Sequence, residues 1–226
     1  MQTRTLMLKE MEDLRRELTF MAARVHENLG KSLAILKTGN DEMADEVKNT
    51  GKIIDEMQIR IEDMAMVLIA TQQPVASDLR ELVTVFKLAS NLERIDDYGI
   101  HLTKAAIKLF DRPSLLSMEK IERMAETGHE MLKTAFSAYL AWDNNAARNA
   151  AAMDEKIDKE HKALTDEVLT LIKDRPDMVK PAARLLRLSG HMERLGDHIT
   201  NICEAIVYMT EGSREELNPV RCGIKS

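Results

Sequence analysis

Apolar residues recur at helical spacing along nearly the whole chain, and two stretches a hundred residues apart share one register. Positions seven apart follow one stripe of a helix, and the two stripes read Leu79, Phe86, Glu93, Ile100, Ile107 and Val179, Leu186, Glu193, Thr200, Val207. Each stripe is mostly apolar and is interrupted by a glutamate at the same point. This repeat predicts an internal duplication.

Helix-breaking residues are few, and they divide the chain into six long helices. Clusters of Gly, Asn, Asp and Pro, which favour helix ends and caps, occur at residues 38–41, 71–74, 111–114, 142–145, 174–177 and 211–213. Each helix would have roughly 30 residues and be about 45 Å long. Short turns between long helices favour antiparallel neighbours.

We therefore predict an all-α fold of two tandem three-helix bundles. The first bundle takes residues 1–112 and the second takes residues 113–212. Residues 213–226 are expected to form a loosely ordered C-terminal tail. The pattern leaves open whether the bundles dock end to end or side by side.

Composition agrees with a soluble helical protein and argues against nucleic acid as a ligand. The 226 residues include only 9 Gly and 5 Pro, with 44% hydrophobic and 31% charged residues. The net charge is -6 and no cluster of five Lys or Arg occurs, whereas nucleic-acid binding needs a basic surface.

The sequence favours a cytoplasmic setting. The longest apolar run, from Met64 to Ala70, is far shorter than the roughly 20 residues of a membrane span. No signal peptide is visible at the start, and two cysteines, Cys203 and Cys222, make no disulfide framework.

The candidate chemistry begins at the two glutamates. Each starts the motif Glu-Arg-aliphatic-x-Asp, at Glu93 to Asp97 and at Glu193 to Asp197. A carboxylate on the apolar side of a helix is costly unless it is paired, protonated or bound to metal.

Distance from the turn predicts which carboxylates meet in the second half. In an antiparallel helix pair, residues equally far from the turn lie side by side. Counting from Pro176 puts Asp158 level with Glu193 and Asp154 level with Asp197. Since each pair is spaced i, i+4, four carboxylates should converge on one patch.

The same count in the first half finds one carboxylate fewer. From Pro74, Asp55 lies level with Glu93, whereas Gly51 lies level with Asp97. The first half thus offers Asp55, Glu93 and Asp97, and we expect its site to be weaker than the second.

Converging carboxylates repel one another, so a cation should lie among them. Oxygen ligands suit Mg, Ca, Mn or Fe, with Zn possible, and His161 lies near enough in sequence to contribute. The alternative is salt bridging without metal, with four basic neighbours available: Arg94, Arg194, Lys156 and Lys159.

Enzymatic chemistry has little support, and we expect no catalytic residues. The chain has no Gly-rich phosphate loop. A ferritin-like di-iron site needs two Glu-x-x-His motifs, and only Glu126 to His129 fits. The remaining histidines are expected at the surface or in packing: His26, His101, His129, His191 and His198.

Three features together resemble the PhoU family, the accessory regulators of the phosphate-specific ABC transporter. They are the doubled Glu-Arg-x-x-Asp motif, the acidic pair Asp154 and Asp158 one helix earlier, and the turn from Gln73 to Arg80, which is similar to the family's Pro-x-Ala-x-Asp-Leu-Arg. The ordered set in a duplicated six-helix chain is specific, although each motif alone is weak.

The resemblance implies a fold of two similar three-helix bundles and a regulatory function. Family members repress the phosphate-starvation response and restrain uptake. They are thought to link the phosphate ABC transporter to a membrane-bound sensor histidine kinase, which gives peripheral membrane association through partners, and they commonly dimerise.

The resemblance also implies clusters of iron or zinc on the acidic motifs. One cluster would use Asp154, Asp158, Glu193 and Asp197, and the other Asp55, Glu93 and Asp97. Where the family usually has an acid, this chain has Gly51. Competing interpretations are a carboxylate-bridged metal-binding or storage protein and a metal-free helical scaffold.

Overall fold

The computed structural model of the protein describes residues 2–110 and 118–218, and in these ranges it is built of α-helices without a strand. The first bundle consists of α1 (Gln2–Thr38), α2 (Asp41–Gln72) and α3 (Ala76–Phe110). The second consists of α4 (Glu119–Ala141), α5 (Asn144–Ala152), α6 (Asp154–Asp174) and α7 (Val179–Glu211). The predicted all-α fold of two tandem bundles is confirmed.

The helix ends lie where the sequence predicts them. Gly39 adopts a left-handed φ of 66° after α1, a conformation that costs glycine little. The side chain of Asn40 then caps α2 by accepting hydrogen bonds from the backbone N–H groups of Glu42 and Met43. A three-residue 3₁₀ helix, Pro176–Met178, joins α6 to α7.

The fifth of the six predicted helices is interrupted. Its two parts, α5 and α6, meet at Met153. There the N–H of Met153 bonds to the carbonyl of Ala150 at 3.1 Å, and the N–H of Lys156 bonds to the carbonyl of Met153 at 3.0 Å. These tighter i→i−3 bonds replace the α-helical pattern, and no Gly or Pro marks the break in the sequence. Asp154 therefore begins a new helix.

The two bundles pack side by side through α3 and α7. Arg80 near the start of α3 bonds to the carbonyl of Met209 near the end of α7, at 3.4 Å. Further along α3, His101 stacks on His191 near the start of α7, with ring centroids 4.6 Å apart. The two helices are thus antiparallel.

Because α3 and α7 are duplicated copies, their antiparallel contact has an approximate two-fold symmetry. Tyr98 and His198, which are a hundred residues apart, face each other near the middle with ring centroids 5.6 Å apart. On one side lies the stacked pair of His101 and His191, described above. The related contact on the other side joins Asn201 to Asn91 at 3.4 Å.

A partly buried ion pair joins α1 to α3 close to the second bundle. The guanidinium of Arg15 donates two hydrogen bonds to the carboxylate of Glu81, one of them 2.7 Å long. Glu81 is buried, and its charge raises the pKa of the nearby Tyr139 hydroxyl after the larger effect of burial. Buried apolar side chains of both bundles form one connected core around this region.

The start of the C-terminal tail is held against the second bundle, in contrast to the loose order expected. The N–H of Leu217 bonds to Glu204 at 3.0 Å, and Arg148 bonds to Glu215 at 2.6 Å. The remaining tail, residues 219–226, and the predicted bundle boundary between residues 112 and 113 lie outside the described residues. No helix in the described ranges is both long and apolar enough to span a membrane.

Candidate functional site

The acidic side chains of the first half come together where α2 and α3 pack. Asp55 lies on α2, and Glu93 and Asp97 lie on α3. Burial raises the pKa of Asp55 and of Glu93, and the charge of Asp97 raises both further. The three predicted residues are therefore electrostatic neighbours, and their negative charges disfavour one another.

Arg94 offsets part of this repulsion. Its guanidinium lies 3.4 Å from the carboxylate of Glu93 and 3.9 Å from that of Asp97. Arg94 is itself well exposed, so water screens these contacts and each contributes little to stability. The salt-bridge alternative thus has a real partner in the first half, although a weak one.

A fourth acid, Asp96, is the most deeply buried carboxylate of this acidic group. Its Oδ1 accepts a hydrogen bond of 2.8 Å from the amide of Asn28, which also donates to the carbonyl of Val47. Burial raises the pKa of Asp96 to about 7, and Asn28 partly opposes that shift. Asp96 occupies the variable position of the motif Glu-Arg-aliphatic-x-Asp, so the motif did not predict it as a site residue.

The acids of the second half divide in the same way. Asp158, Glu193 and Asp197 are partly exposed, whereas Asp154 is fully buried. The Oδ2 of Asp154 accepts hydrogen bonds from the amide of Asn218 at 2.8 Å and from the hydroxyl of Thr200 at 3.5 Å. Asp154 is thus the buried member of the four acids predicted to converge in the second half.

The buried acid of each half faces a glycine on the other helix of its pair. A Cβ on Gly196 of α7 would lie 2.0 Å from Oδ1 of Asp154, and a Cβ on Gly51 of α2 would lie 3.1 Å from Oδ2 of Asp96. In the first half the acid is on the later helix and the glycine on the earlier one, and in the second half the two are exchanged.

Because the acid and the glycine have exchanged helices, the first half does not have one carboxylate fewer than the second, as Gly51 had suggested. Each acidic group carries three partly or fully exposed carboxylates and one buried aspartate, and Asp96 supplies the fourth acid of the first half. The sequence holds a signal for it: the copies read Glu-Arg-Ile-Asp-Asp at residues 93–97 and Glu-Arg-Leu-Gly-Asp at residues 193–197. Asp96 of the first copy is thus at the position that Gly196 occupies in the second copy.

Metal binding stays a prediction. Within the described ranges, no three His, Cys, Asp or Glu side chains are grouped so that they could hold a metal ion. The donor set is carboxylate oxygen, which suits hard cations, and an added cation would offset the repulsion that Asp97 exerts on Asp55 and Glu93. His161 is engaged elsewhere, since its Nδ1 lies 2.7 Å from the hydroxyl of Ser189.

Comparison with known proteins finds one family over both bundles. The family model of the PhoU domain matches residues 18–106 and again residues 121–206. A protein of Clostridium acetobutylicum, named phosphate-specific transport system accessory protein PhoU homolog, is 29% identical over 96% of this chain and 99% of its own length. One of the same name from Streptococcus pneumoniae is 31% identical over 92% of this chain and 97% of its own length.

Solved structures agree with these relatives. The crystal structure of PhoU from Pseudomonas aeruginosa superposes with a TM-score of 0.86 at 26% identity, covering 91% of this chain and 99% of that one. The phosphate transport system regulatory protein PhoU from Streptococcus pneumoniae gives a TM-score of 0.82 at 30% identity, covering 92% of this chain and 99% of that one.

The contact between Asp154 and Gly196 predicts how substitution of that glycine affects stability. Gly196→Ala should lower the free energy of unfolding by about 1–3 kcal/mol, because its methyl group would overlap the buried carboxylate. Gly190 lies on the same helix, and a methyl group added there would meet no atom within 4 Å. Gly190→Ala should therefore stabilise by about 0.5–1 kcal/mol through helix propensity. Urea denaturation measures both, and equal effects would contradict the close contact.

The buried Asp96 predicts a pH dependence of stability. Its pKa of about 7 lies above the ordinary 3.8, so the folded state holds this proton more tightly than the unfolded state. The resulting stability is complete below pH 3.8 and is lost as the pH rises through about 7. Asp96→Asn should remove the loss and be more stable than the wild type at pH 8 by on the order of 2 kcal/mol.

Denaturant titrations between pH 4 and pH 8 with EDTA present measure this difference without bound metal. Asp166→Asn, which changes an exposed aspartate of α6, is the control and should keep the wild-type profile. The same pH profile in Asp96→Asn and the wild type would refute the assignment.

Proposed function

Since the chain belongs to the PhoU family, we propose that it is an accessory regulator of a phosphate-specific transport system. The observation that carries this proposal is the double match, which places one PhoU domain on each bundle. Relatives of nearly the same length are named as transport system accessory proteins, and one solved relative is titled a regulatory protein. The family is one of regulatory accessory proteins and not of enzymes.

We further propose that the protein restrains phosphate uptake and represses the phosphate-starvation response. It would act in the cytoplasm as an adaptor between the phosphate ABC transporter and a membrane-bound sensor histidine kinase, and it would work as a homodimer. Two long bundles that share one core support an adaptor, because they present wide and rigid helical faces to partners.

Exposed apolar side chains on the first bundle support contact with the transport system. Ile59 and Val67 of α2 are 61% and 59% exposed. They line a groove between α1 and α2 that is bordered by acidic residues, among them Glu10 and Asp63. Exposed apolar side chains beside a groove are typical of interaction sites, and we assign this one to a transporter component.

Metal binding is the second part of the proposal. The acids of the first half, Asp55, Glu93 and Asp97, would join α2 to α3 through a shared cation, and those of the second half would join α6 to α7: Asp154, Asp158, Glu193 and Asp197. Iron or zinc follows from the family resemblance, and Mg, Mn or Ca would also suit oxygen donors. The cation would supply charge neutralisation, and it would stiffen each helix pair.

The alternatives remain a metal-storage protein and a metal-free scaffold. The contacts of Arg94 with Glu93 and Asp97 favour the metal-free interpretation for the first half. A storage protein would bind many metal ions per chain, whereas the proposed regulator would bind only a few, at the two acidic groups.

The regulatory role predicts the effect of deleting the gene in the organism that encodes it. Phosphate-responsive genes should become active and uptake should rise in high phosphate, because repression is lost. Restoring the wild-type chain should restore repression, which reporter expression and labelled-phosphate uptake both measure. Deletion without any change in either measurement would contradict the role.

Surface variants sharpen this test. Ile59→Glu plus Val67→Glu should fold normally and fail to restore repression, since the changes place charge on the proposed contact. Leu140→Glu plus Leu169→Glu, at residues 55% and 52% exposed on the second bundle, is the matched control and should restore it. If instead Leu140→Glu plus Leu169→Glu fails to restore repression and Ile59→Glu plus Val67→Glu restores it, the contact lies on the second bundle.

Metal binding predicts a loss of bound metal in two double variants. Glu193→Ala plus Asp197→Ala should remove the metal of the second half, and Glu93→Ala plus Asp97→Ala that of the first. Elemental analysis of protein purified without chelator or affinity tag measures both. Glu155→Ala, which removes an acid paired with Lys159 at 2.8 Å, is the control. If the amount of bound metal is the same in Glu193→Ala plus Asp197→Ala as in the wild type, the proposed metal site of the second half is excluded.

A further inference from the structure

A basic cavity lies between the two bundles, at the end of the interface where α3 finishes and α7 starts. Its volume is about 820 Å³, which falls within the range of small-molecule sites, about 300–1,000 Å³. Four permanent cations and two histidines line it: Lys104, Lys108, Arg184, Arg187, His101 and His191. Among the described residues, the only others that line it are Ala105 and Leu188, so none of its described lining residues is an acid.

The positive charges of the four basic side chains are not neutralised by ion pairs in the described part of the chain. Within those residues, none of the four cations forms an ion pair with Asp or Glu. Burial lowers the pKa of His101, and Lys104 and Arg187 lower it further against the opposing charge of Asp97. Like charges gathered without a counter-charge repel one another, so an anion would stabilise the cavity.

The opposite end of the same interface provides an internal comparison. The approximate two-fold axis relates the basic cavity to a groove of about 440 Å³ at the start of α3 and the end of α7. There Glu204 stands at the position of Lys104, Tyr208 at that of Lys108, and Lys87 at that of Arg187. Glu215 and Glu216 add further negative charge.

The comparison shows that the basic lining is not a requirement of the fold. The same pair of duplicated helices builds both ends, yet among the described lining residues only one of these two ends collects cations without acids, whereas the other mixes Lys87 and Arg214 with three glutamates. Lys104 and its counterpart Glu204 have opposite charges at equivalent positions. The basic character therefore comes from the particular residues of this cavity.

We propose that this cavity binds a small anion that carries several phosphate groups. Guanidinium groups bind phosphate through paired, charge-assisted hydrogen bonds, and Arg184 and Arg187 supply two of them. Lys104 and Lys108 add point charges on the facing helix, and each neutral imidazole can donate one hydrogen bond. A single orthophosphate would leave most of these donors unused, whereas a chain of phosphates would reach both helices.

This inference goes beyond the regulatory function and does not depend on it, because binding is measured on the purified full chain. Inorganic tripolyphosphate is the probe, titrated by calorimetry beside pyrophosphate and orthophosphate. One tripolyphosphate per chain should bind about tenfold or more tighter than orthophosphate, since more charge-assisted bonds form. Affinity should fall as NaCl is added. Equal affinities for the three anions, or no binding of any, would refute the proposal.

A matched pair of double variants locates the site. Lys104→Glu plus Arg187→Glu should weaken tripolyphosphate binding by about tenfold or more. Lys87→Glu plus Arg214→Glu changes the net charge by the same amount in the opposite groove and should leave the affinity within about threefold. All four residues are exposed, and thermal unfolding checks the fold of both proteins. Should the glutamates unfold the chain, glutamine at the same positions gives the same test. If both double variants lose the same affinity for tripolyphosphate, the binding is a nonspecific effect of net charge, and the proposed site is refuted.

Two further outcomes separate other sources of binding. Tripolyphosphate should still bind after treatment with EDTA, because side chains alone form the site; complete loss of binding would assign it to metal and overturn the proposal. Vesicles containing phosphatidylglycerol are sedimented with the wild type and with Lys104→Glu plus Arg187→Glu. Vesicle binding that depends on these residues, without binding of tripolyphosphate, would make the surface a membrane contact and also overturn the proposal.

Discussion

Helices α3 and α7 run antiparallel past each other, and their apolar faces belong at once to both bundles and to the contact between them. Leu92 and Leu195, for example, are fully buried. Because the two helices are copies of one ancestral element, their contact has an approximate two-fold axis through Tyr98 and His198. Every feature along α3 therefore has a counterpart along α7 at the opposite end, and differences between counterparts reveal which properties the fold itself does not require.

The acidic groups illustrate one such difference. A buried carboxylate costs free energy through desolvation, and in each half the buried aspartate lies against a glycine of the facing helix. A Cβ on Gly196 would lie 2.0 Å from Asp154. A Cβ on Gly51, by contrast, would meet Ile100 first, at 2.6 Å, and would lie 3.1 Å from Asp96. The two halves thus keep one acid and one glycine at the same contact while their sequences differ. Motif spacing alone suggested a missing ligand, whereas the geometry shows an exchange.

The limits of sequence reasoning follow from the range of each interaction. Helix ends depend on local signals such as Gly39 and Asn40, so periodicity and breakers located them well. The interruption at Met153 has no local signal, because its tight hydrogen bonds form among ordinary helix-forming residues. Asp96 and Asp97 are adjacent in sequence but about 100° apart around the helix. Distance from the turn therefore predicts a level for the acidic group without showing which acid is buried.

The basic cavity was beyond sequence reasoning for a different reason: its cations become neighbours only when α3 docks on α7. Once the docking is known, charge is seen to change sign over a short distance along α3. Asp97 raises the pKa of His101 while Lys104 and Arg187 lower it, so this ring lies within the fields of both the acidic group and the basic cavity. Asp97 and His101 are one helical turn apart, about 6 Å. A cation bound beside Asp97 would therefore add positive potential at the cavity and favour an anion there. Binding free energies are coupled reciprocally, so the anion would favour the cation by the same factor, and occupancy of the two proposed sites would rise together.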